Sequence, residues 1–444
     1  MKKIISAVLC CLLLLSFAGC KEKPKESVTL TILMESNAER KEDAFKLLAQ
    51  IANPGKDVIL NFEYLDYDIY NSTERQTQLA NYRAAIMAGE GPDIFILPSW
   101  KPDLVWDDGN IAHRIEPLFT DLEDAMANRV FYPLDDFIAD SKHLIMDEHI
   151  AVVMDAGKTD EGQVVLPLLF DYELIWLERE KMKDFDVADD DLQSLLNDED
   201  NYVRFMMGTY SLQWLCRTFT DYTDESGQAL SFTQEELLEH FRAVSASSDL
   251  IHEYSDDYVE YDEAGFPVIE EWEMSGETSN NEYGLLNLNR NYDKIYPLAV
   301  PSRDGGICAQ ITAFTAINRN SKHPQEAFNI IQYLYDVEMQ IGGKITLDDE
   351  NAIPLGPEMS WIASRDMDGI KTGKLNYTEM TYDACYEALQ DINSRITTAR
   401  FTSEFDALLY DFWYKNAYGK NPDDETLIKL VEELYSTCKM TAAE

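Results

Sequence analysis

The chain has few groups suited to covalent or metal chemistry. It contains 7 cysteines and 6 histidines in 444 residues, and the patterns H-E-x-x-H, G-x-S-x-G and the P-loop do not occur. Basic residues are also scarce: 37 Lys and Arg stand against 82 Asp and Glu, a formal net charge of −45. Nucleic-acid phosphates and anionic lipid head groups repel such a chain. The sequence therefore argues against the commonest hydrolase classes and against nucleic-acid binding.

Long apolar runs are absent apart from a short one at the N-terminus. Residues 1–3 (MKK) precede an apolar stretch over 4–18, which is too short to suit a permanent membrane span and is typical of an export signal. The stretch ends in LSFAGC, which resembles a bacterial lipobox. We therefore predict a lipoprotein signal peptide over residues 1–19, lipidation of Cys20, and a charged tether over 20–27. An ordinary secretion signal is the alternative.

Cysteine usage indicates neither a zinc site nor a dense disulfide framework. Two cysteines leave with the signal peptide and Cys20 is taken by lipid. The remaining four are far apart and include no C-x-x-C pair: Cys216, Cys308, Cys385 and Cys438. Pairing among these four stays open at this stage, and no metal or cofactor is predicted.

Strand and helix patterns alternate early in the chain. The order is strand, helix, strand, helix, strand, over residues 28–34, 38–51, 58–65, 74–88 and 93–97. This alternation predicts a parallel sheet with helices on both faces, and the length exceeds one ordinary core. Further along we predict strands over 164–169, 172–177 and 314–317, helices over 233–244 and 324–335, a long loop over 249–281, and mainly helix after Pro354.

A set of motifs carries a resemblance to a known family. Residues 82–95, YRAAIMAGEGPDIF, strongly resemble the helix-Gly-x-Gly-Pro-Asp-Ile-Phe signature of family 1 extracellular solute-binding proteins, the maltose-binding-like group. Other segments resemble later family motifs in the family's order: residues 160–167, 312–334, 352–355 and 414–420. The resemblance departs from the family at Val165 and Leu166, where an aromatic residue and Gly are usual.

The resemblance implies a two-lobed, periplasmic-binding-protein-like α/β fold with an interlobe hinge. It places residues 28–169 and 307–352 in the first lobe, and residues 170–306 and 353–444 in the second. The function it implies is that of a monomeric, membrane-anchored receptor outside the cytoplasmic membrane. Such a receptor binds a small polar solute, such as a carbohydrate, and passes it to the transmembrane subunits of an ABC import permease.

Candidate ligand residues follow the predicted strands, because open α/β folds bind ligands at the carboxyl ends of strands. Exposed Trp rings suit the C–H faces of sugars, and polar groups suit their hydroxyls. The residues predicted at strand ends are Glu35, Ser36, Ser99, Trp100, Asp171 and Tyr172. Asn289 and Asn291 are added because their segment resembles the second-lobe loop that faces ligand in the family, and Trp272 and Trp361 are added as further aromatic candidates. Core packing of the Trp residues and solvation of Glu35 are the alternative interpretations.

A catalytic role has weaker support in the sequence. Adjacent carboxylates such as Asp135 and Asp136 are too common in an acidic chain to indicate glycosidase chemistry, which needs two carboxyls placed across a sugar. Residues 260–271 approach the spacing of a calcium loop, but Ala264 removes one ligand. No catalytic residue is predicted, and the alternatives are a surface-anchored glycan-degrading enzyme or a glycan-binding protein without a transport role.

Overall fold

The computed structural model describes two α/β units, each with its own sheet and apolar core. We call them the first and second lobe. The residues described are 26–35, 42–66, 73–99, 106–107, 110–111, 116–179, 219, 221–223, 229–243, 245–246, 260–261, 267–268, 276–278, 295–303, 305–336, 344–348, 351–354, 374–375, 378–379, 391–416 and 422–443.

The elements follow one another in mixed order along the chain. The strands are β1 (Glu26–Glu35), β2 (Lys56–Leu65), β3 (Ile94–Pro98), β4 (Trp106–Asp107), β5 (Asn110–Ile111), β6 (Lys158–Thr159), β7 (Gly162–Gln163), β8 (Val165–Asp171), β9 (Glu173–Glu178), β10 (Glu260–Tyr261), β11 (Pro267–Val268), β12 (Gly276–Thr278), β13 (Ile295–Ala299), β14 (Ile307–Ile317), β15 (Lys344–Asp348), β16 (Asn351–Pro354), β17 (Lys374–Leu375), β18 (Thr378–Glu379) and β19 (Ile396–Phe401). The α-helices are α1 (Glu42–Ala52), α2 (Thr73–Met87), α3 (Leu122–Ala127), α4 (Asp135–Ala139), α5 (Ala151–Asp155), α6 (234–243), α7 (Pro324–Ile331), α8 (Glu404–Asn416) and α9 (Asp424–Thr441).

The first lobe is built on a six-stranded sheet of order β19-β14-β3-β1-β2, with β8 also paired to β14. β1 is parallel to β2 along its whole length and parallel to β3, as the alternating pattern predicts. β14 runs antiparallel to β3 and β8 and parallel to β19. The predicted sheet is thus mixed rather than wholly parallel, and its direction changes at β14.

Both faces of this sheet are buried. In β1, Val28, Leu30, Ile32 and Met34 pack with α1 and α7 on one face, while Leu33 belongs to the cluster on the other. Strands buried on both faces are apolar throughout rather than alternating. This burial explains the apolar run over residues 32–34, whereas Thr29 and Thr31 alternate with buried residues in the first half of the strand.

The Gly-x-Gly-Pro-Asp segment ends α2 and starts β3. Gly89 and Gly91 have φ angles of +77° and +104°, a region that side-chain-bearing residues rarely adopt. The side-chain amide of Asn318 donates to the carbonyl oxygens of Glu90 (3.1 Å) and Pro92 (3.0 Å). The motif therefore fixes the direction of β3, whose carboxyl end points towards the second lobe.

The second lobe has a smaller sheet, in which β9 lies antiparallel between β12 and β13. Its apolar core joins β9 and β13 to the three helices α6, α8 and α9. α6 begins at the predicted capping box: the Thr233 hydroxyl accepts from the Glu236 N–H (3.3 Å), and the Glu236 carboxylate accepts from the Thr233 N–H (2.7 Å).

The chain passes between the lobes at three described crossings. These are residues 171–173 between β8 and β9, 299–307 between β13 and β14, and 401–404 between β19 and α8. The lobe limits drawn from the sequence assign all residues after 353 to the second lobe, yet β19 pairs within the first-lobe sheet.

Two secondary-structure predictions need correction. The region after Pro354 contains β17, β18 and β19 in addition to helices, and the predicted loop over 249–281 contains β10, β11 and β12. In β19 the β-branched residues of ITTARF favour a strand once β14 offers an edge to pair with.

Cys308 and Cys438 are free thiols. Within the described ranges, no helix has the length and apolar character needed to cross a membrane.

Candidate functional site

Two strands of the first sheet end beside the middle of β14. β3 is followed by Ser99, whose backbone N–H donates to the carbonyl oxygen of Thr312 (2.9 Å). β19 is followed by Thr402, whose N–H donates to the carbonyl oxygen of residue 311 (3.2 Å). Because both acceptors are neighbours in β14, the chain ends of β3 and β19 lie close together.

The pairing register shows that β3 and β19 share one edge of β14. Ala313 pairs with both β3 and β8, so these two strands lie on opposite edges. Gln310 and Ile311 pair with both β19 and β8, which places β19 on the edge that β3 also uses. β8 ends on the opposite edge, where Asp171 pairs with Gln310. Strand direction changes here, and open α/β sheets bind their ligands at such switch points.

The same point lies at the boundary between the lobes. Asp171 begins the first crossing and Thr402 lies in the third, so a ligand at these strand ends would contact residues that connect the two lobes. We call this group the interlobe junction and define it as Ser99, Asp171, Tyr172, Gln310, Ile311, Thr312 and Thr402.

Polar side chains are buried at the interlobe junction. Ser99, Asp171, Gln310 and Thr402 are 4%, 9%, 6% and 5% exposed. The Ser99 hydroxyl has no hydrogen-bond partner in the part of the chain that the structure describes. A buried polar group without a partner costs free energy, so it is usually completed by water, an ion or a ligand. Packing of an apolar core does not require buried polar side chains, so their concentration at the junction indicates another role.

Tyr172 contributes its hydroxyl to the protein itself. The Tyr172 O–H donates to Oδ1 of Asn393 (2.8 Å), which ties the first crossing to helical residues 391–394. Burial and the Asp171 charge raise the pKa of Tyr172, and Arg395 opposes the shift. The hydroxyl is therefore neutral at physiological pH and acts as a hydrogen-bonding group, not as an anion.

Glu35 lies at the carboxyl end of β1, as predicted, and is 6% exposed. Both of its carboxylate oxygens accept from the Arg75 guanidinium, at 2.9 Å from Nη1 and 3.0 Å from Nη2. This bidentate pair is the strongest geometry for an Arg and a carboxylate. The described contacts therefore give Glu35 an ion-pairing role, and direct ligand binding by Glu35 stays a prediction.

Arg75 joins three segments at this edge of the sheet. It also donates to the carbonyl oxygens of Asp66, which follows β2 (2.6 Å), and of Glu116 (2.6 Å from Nη2). Arg83, two turns along α2, donates to the carboxylate of Glu116 (2.8 Å) and to the carbonyl of Leu118 (2.8 Å). One face of α2 thus holds the ends of β1 and β2 and the segment that leads to α3.

A group of carboxylates lies where α3 approaches the second lobe. Burial, followed by the charges of Asp121 and Asp221, raises the pKa of Glu123 to about 7, and Arg400 opposes the rise. Glu123 nevertheless remains solvent-exposed. Among the described residues, no group of three or more His, Cys, Asp or Glu side chains is placed to hold a metal ion.

Sequence reasoning missed the most buried charged cluster of the interface. Arg400, on β19, is 5% exposed and forms an ion pair with Asp406, which is 0% exposed. An Arg in the interior of a β-branched strand is the one signal that could have indicated it, because an Arg is rarely buried without a partner. Of the predicted ligand residues, six lie outside the described residues: Ser36, Trp100, Asn289, Asn291, Trp272 and Trp361.

A mixed sheet, a second smaller lobe and three crossings define the fold of two-lobed periplasmic solute-binding proteins, and the chain has this fold. Neither a protein-family model nor a curated protein sequence matches the chain. Solved structures do. An extracellular solute-binding protein of family 1 from Alicyclobacillus acidocaldarius subsp. acidocaldarius DSM 446 matches at a TM-score of 0.55 and 14% identity, covering 95% of this chain and 100% of that one.

Two sugar-related structures are similar to nearly the same extent. The sugar-binding protein MalE from Xanthomonas citri matches at a TM-score of 0.54 and 13% identity, over 93% of this chain and 98% of that one. A periplasmic oligogalacturonide binding protein from Yersinia enterocolitica matches at a TM-score of 0.52 and 13% identity, over 94% and 100%. At these identities the likeness establishes the fold, and it confirms the family resemblance of the sequence at that level.

Proposed function

We propose that the chain is an extracytoplasmic solute-binding lipoprotein that delivers a polar solute of the carbohydrate class to an ABC import permease. The observation that carries this proposal is the interlobe junction. Strand ends, buried polar side chains and two of the three crossings come together there, so one ligand can contact both lobes. Binding to both lobes is what couples a solute to lobe closure.

Carbohydrate is the proposed class for two reasons. Two structures with the same fold are described as binding sugar or oligogalacturonide. The buried Ser99 hydroxyl and the Asp171 carboxylate at the junction are groups that hydrogen-bond to sugar hydroxyls. The predicted Trp100 plate follows directly after Ser99 in the sequence.

A thermal-shift screen over sugars, polyols, amino acids and peptides tests the solute class. A ligand that binds only the folded state, at about 100 times its dissociation constant, adds about 2.7 kcal/mol to the free energy of unfolding. We expect one or more sugars or oligosaccharides to raise the melting temperature. A screen in which only amino acids or peptides do so would refute the carbohydrate class.

Binding without turnover is part of the proposal. Labelled oligosaccharides incubated with the purified protein and recovered by chromatography are expected to be bound and chemically unchanged. Shortened products, absent from a control with heat-denatured protein, would instead support the glycan-degrading alternative.

Export and lipid anchoring rest on the N-terminal sequence, because residues 1–25 lie outside the described residues. Cys20→Ser removes the thiol that a lipobox would present for acylation. We expect this variant to leave the membrane fraction or to remain unprocessed. Unchanged membrane fractionation of the Cys20→Ser variant would refute the lipoprotein assignment.

A further inference from the structure

Arg400 reaches from the first-lobe sheet into the core of the second lobe. β19 pairs with β14, and its residues Ala399 and Phe401 pack in the first-lobe core. Side chains of a strand alternate between faces, so Arg400 points the opposite way. It is 5% exposed and its partners belong to the second-lobe side of the third crossing.

Each nitrogen atom of the Arg400 guanidinium donates to a group on that side, and Nη1 also donates to the carbonyl oxygen of Phe401 (3.4 Å). Nη1 and Nη2 donate to the two carboxylate oxygens of Asp406, at 2.7 and 2.6 Å. Nη2 also donates to the Tyr222 hydroxyl (3.1 Å), which itself donates to Asp406 (2.7 Å). Nε donates to the carbonyl oxygen of Phe219 (3.1 Å). We call Arg400, Asp406, Tyr222 and Phe219 the Arg400 node.

The second crossing also contacts Phe219 of the Arg400 node. Arg303 donates to Glu236 of α6 (2.9 Å), and its guanidinium lies 5.4 Å from the ring centre of Phe219. Immediately after it, Gly305 and Gly306 have φ angles of +84° and +69°. Glycine at such angles can change backbone direction at little steric cost. Two crossings thus hold Phe219. The turn that contains Gly305 and Gly306 is closed by the Ser302 N–H, which donates to the carbonyl oxygen of Gly306 (2.8 Å).

A rotation of the lobes about residues 401–404 would pull Arg400 away from Asp406. Leaving a buried charge without its partner is strongly destabilising. Rotation at this crossing is therefore opposed. Because the planar Arg400 guanidinium donates to both oxygens of Asp406, the pair fixes the relative orientation of the two side chains in addition to the distance between them.

We infer that Arg400 is a positioning residue for solute binding: through the node it sets the orientation of the second lobe relative to the first. It thereby sets the distribution of open and closed forms before solute arrives. This inference rests on the proposed function, because the affinity for solute depends on the fraction of molecules already able to bind.

Small-angle X-ray scattering of the unliganded protein tests the inference without any ligand. Arg400→Lys keeps the charge but loses the bidentate fork, and Tyr222→Phe removes only one hydroxyl from the node. We expect both variants to shift the radius of gyration in the same direction, with the larger shift in Arg400→Lys. Tyr222→Phe keeps the test informative if Arg400→Lys does not fold.

Arg75→Met is the matched control, because Arg75 is equally buried and equally bidentate but pairs within the first lobe. We expect it to lower the melting temperature while leaving the radius of gyration, measured well below melting, at the wild-type value. Wild-type scattering from Arg400→Lys and Tyr222→Phe, or an equal shift in Arg75→Met, would overturn the inference. A solute screen without hits would count against the proposed function and leave the scattering result standing.

Discussion

The Arg75–Glu35 pair gives the sharpest stability prediction for the first lobe. Arg75 is 0% exposed and donates to the Glu35 carboxylate and to the carbonyl oxygens of Asp66 and Glu116. Arg75→Met keeps an apolar stem of unbranched atoms but removes the guanidinium and with it every one of these hydrogen bonds. Glu35 then stays buried with no guanidinium beside it.

The magnitude follows from the cost of removing one partner of a buried ion pair. Removing one partner of a buried ion pair typically lowers the free energy of unfolding by about 3–5 kcal/mol. A domain of this size melts about 2–4 °C lower for each kcal/mol. We therefore expect the first-lobe transition of Arg75→Met to fall by about 6–20 °C.

The double variant Arg75→Met/Glu35→Leu is the informative comparison. It removes both charges, and replacing a whole buried pair by apolar groups is often close to neutral. Differential scanning calorimetry of the wild type, Arg75→Met and the double variant should therefore show a deep loss followed by a large recovery. A loss of under about 1 kcal/mol for Arg75→Met would refute the claim that this pair contributes as a buried ion pair, because exposed pairs contribute about that much or less.

Three further outcomes are expected. Because the pKa of Glu123 is raised from 4.5 to about 7, its charged form destabilises the folded state, so Glu123→Gln should melt above the wild type at pH 8. That difference should shrink as the pH falls through 7 and vanish below about 4.5, and a pH-independent difference would contradict it. Asp171→Asn should weaken solute binding by about 1.5–3 kcal/mol in calorimetric titration, and wild-type affinity would remove Asp171 from the site. Asp423 caps α9 by accepting from the Thr426 N–H (2.8 Å), so Asp423→Ala should lower the melting temperature at pH 7 and Asp423→Asn should restore most of it.

Much of the secondary structure could be predicted because its signals are local. Capping at Thr233 and the glycines that end α2 each depend on a few neighbouring residues, and the structure shows both. The alternation of apolar residues likewise gives β1, α1, β2, α2 and β3 in order. The residues of β1 alone do not indicate which strands it pairs with. The β-α-β pattern does, because it predicts parallel pairing with β2 and β3.

The strand β19 shows where local signals end. Its sequence ITTARF was included in a region predicted to be mainly helical, because helical patterns surround it. Only the free edge of β14 makes a strand there favourable, and that edge exists only after residues more than eighty positions earlier have folded. The predicted lobe limits place residues 353–444 in the second lobe, so they did not include the return of β19 to the first-lobe sheet.

What the sequence by itself determined is which segments form strands and helices around the Gly-x-Gly-Pro-Asp turn, and that Glu35, Ser99 and Asp171 end their strands. Only the tertiary structure decided how those ends are used. Arg75 takes both oxygens of Glu35, and β3 and β19 meet head to head on β14. The physical reason is that ion pairs and strand registers depend on distances between residues remote in sequence, such as 35 and 75 or 222 and 400, and no local pattern encodes these distances.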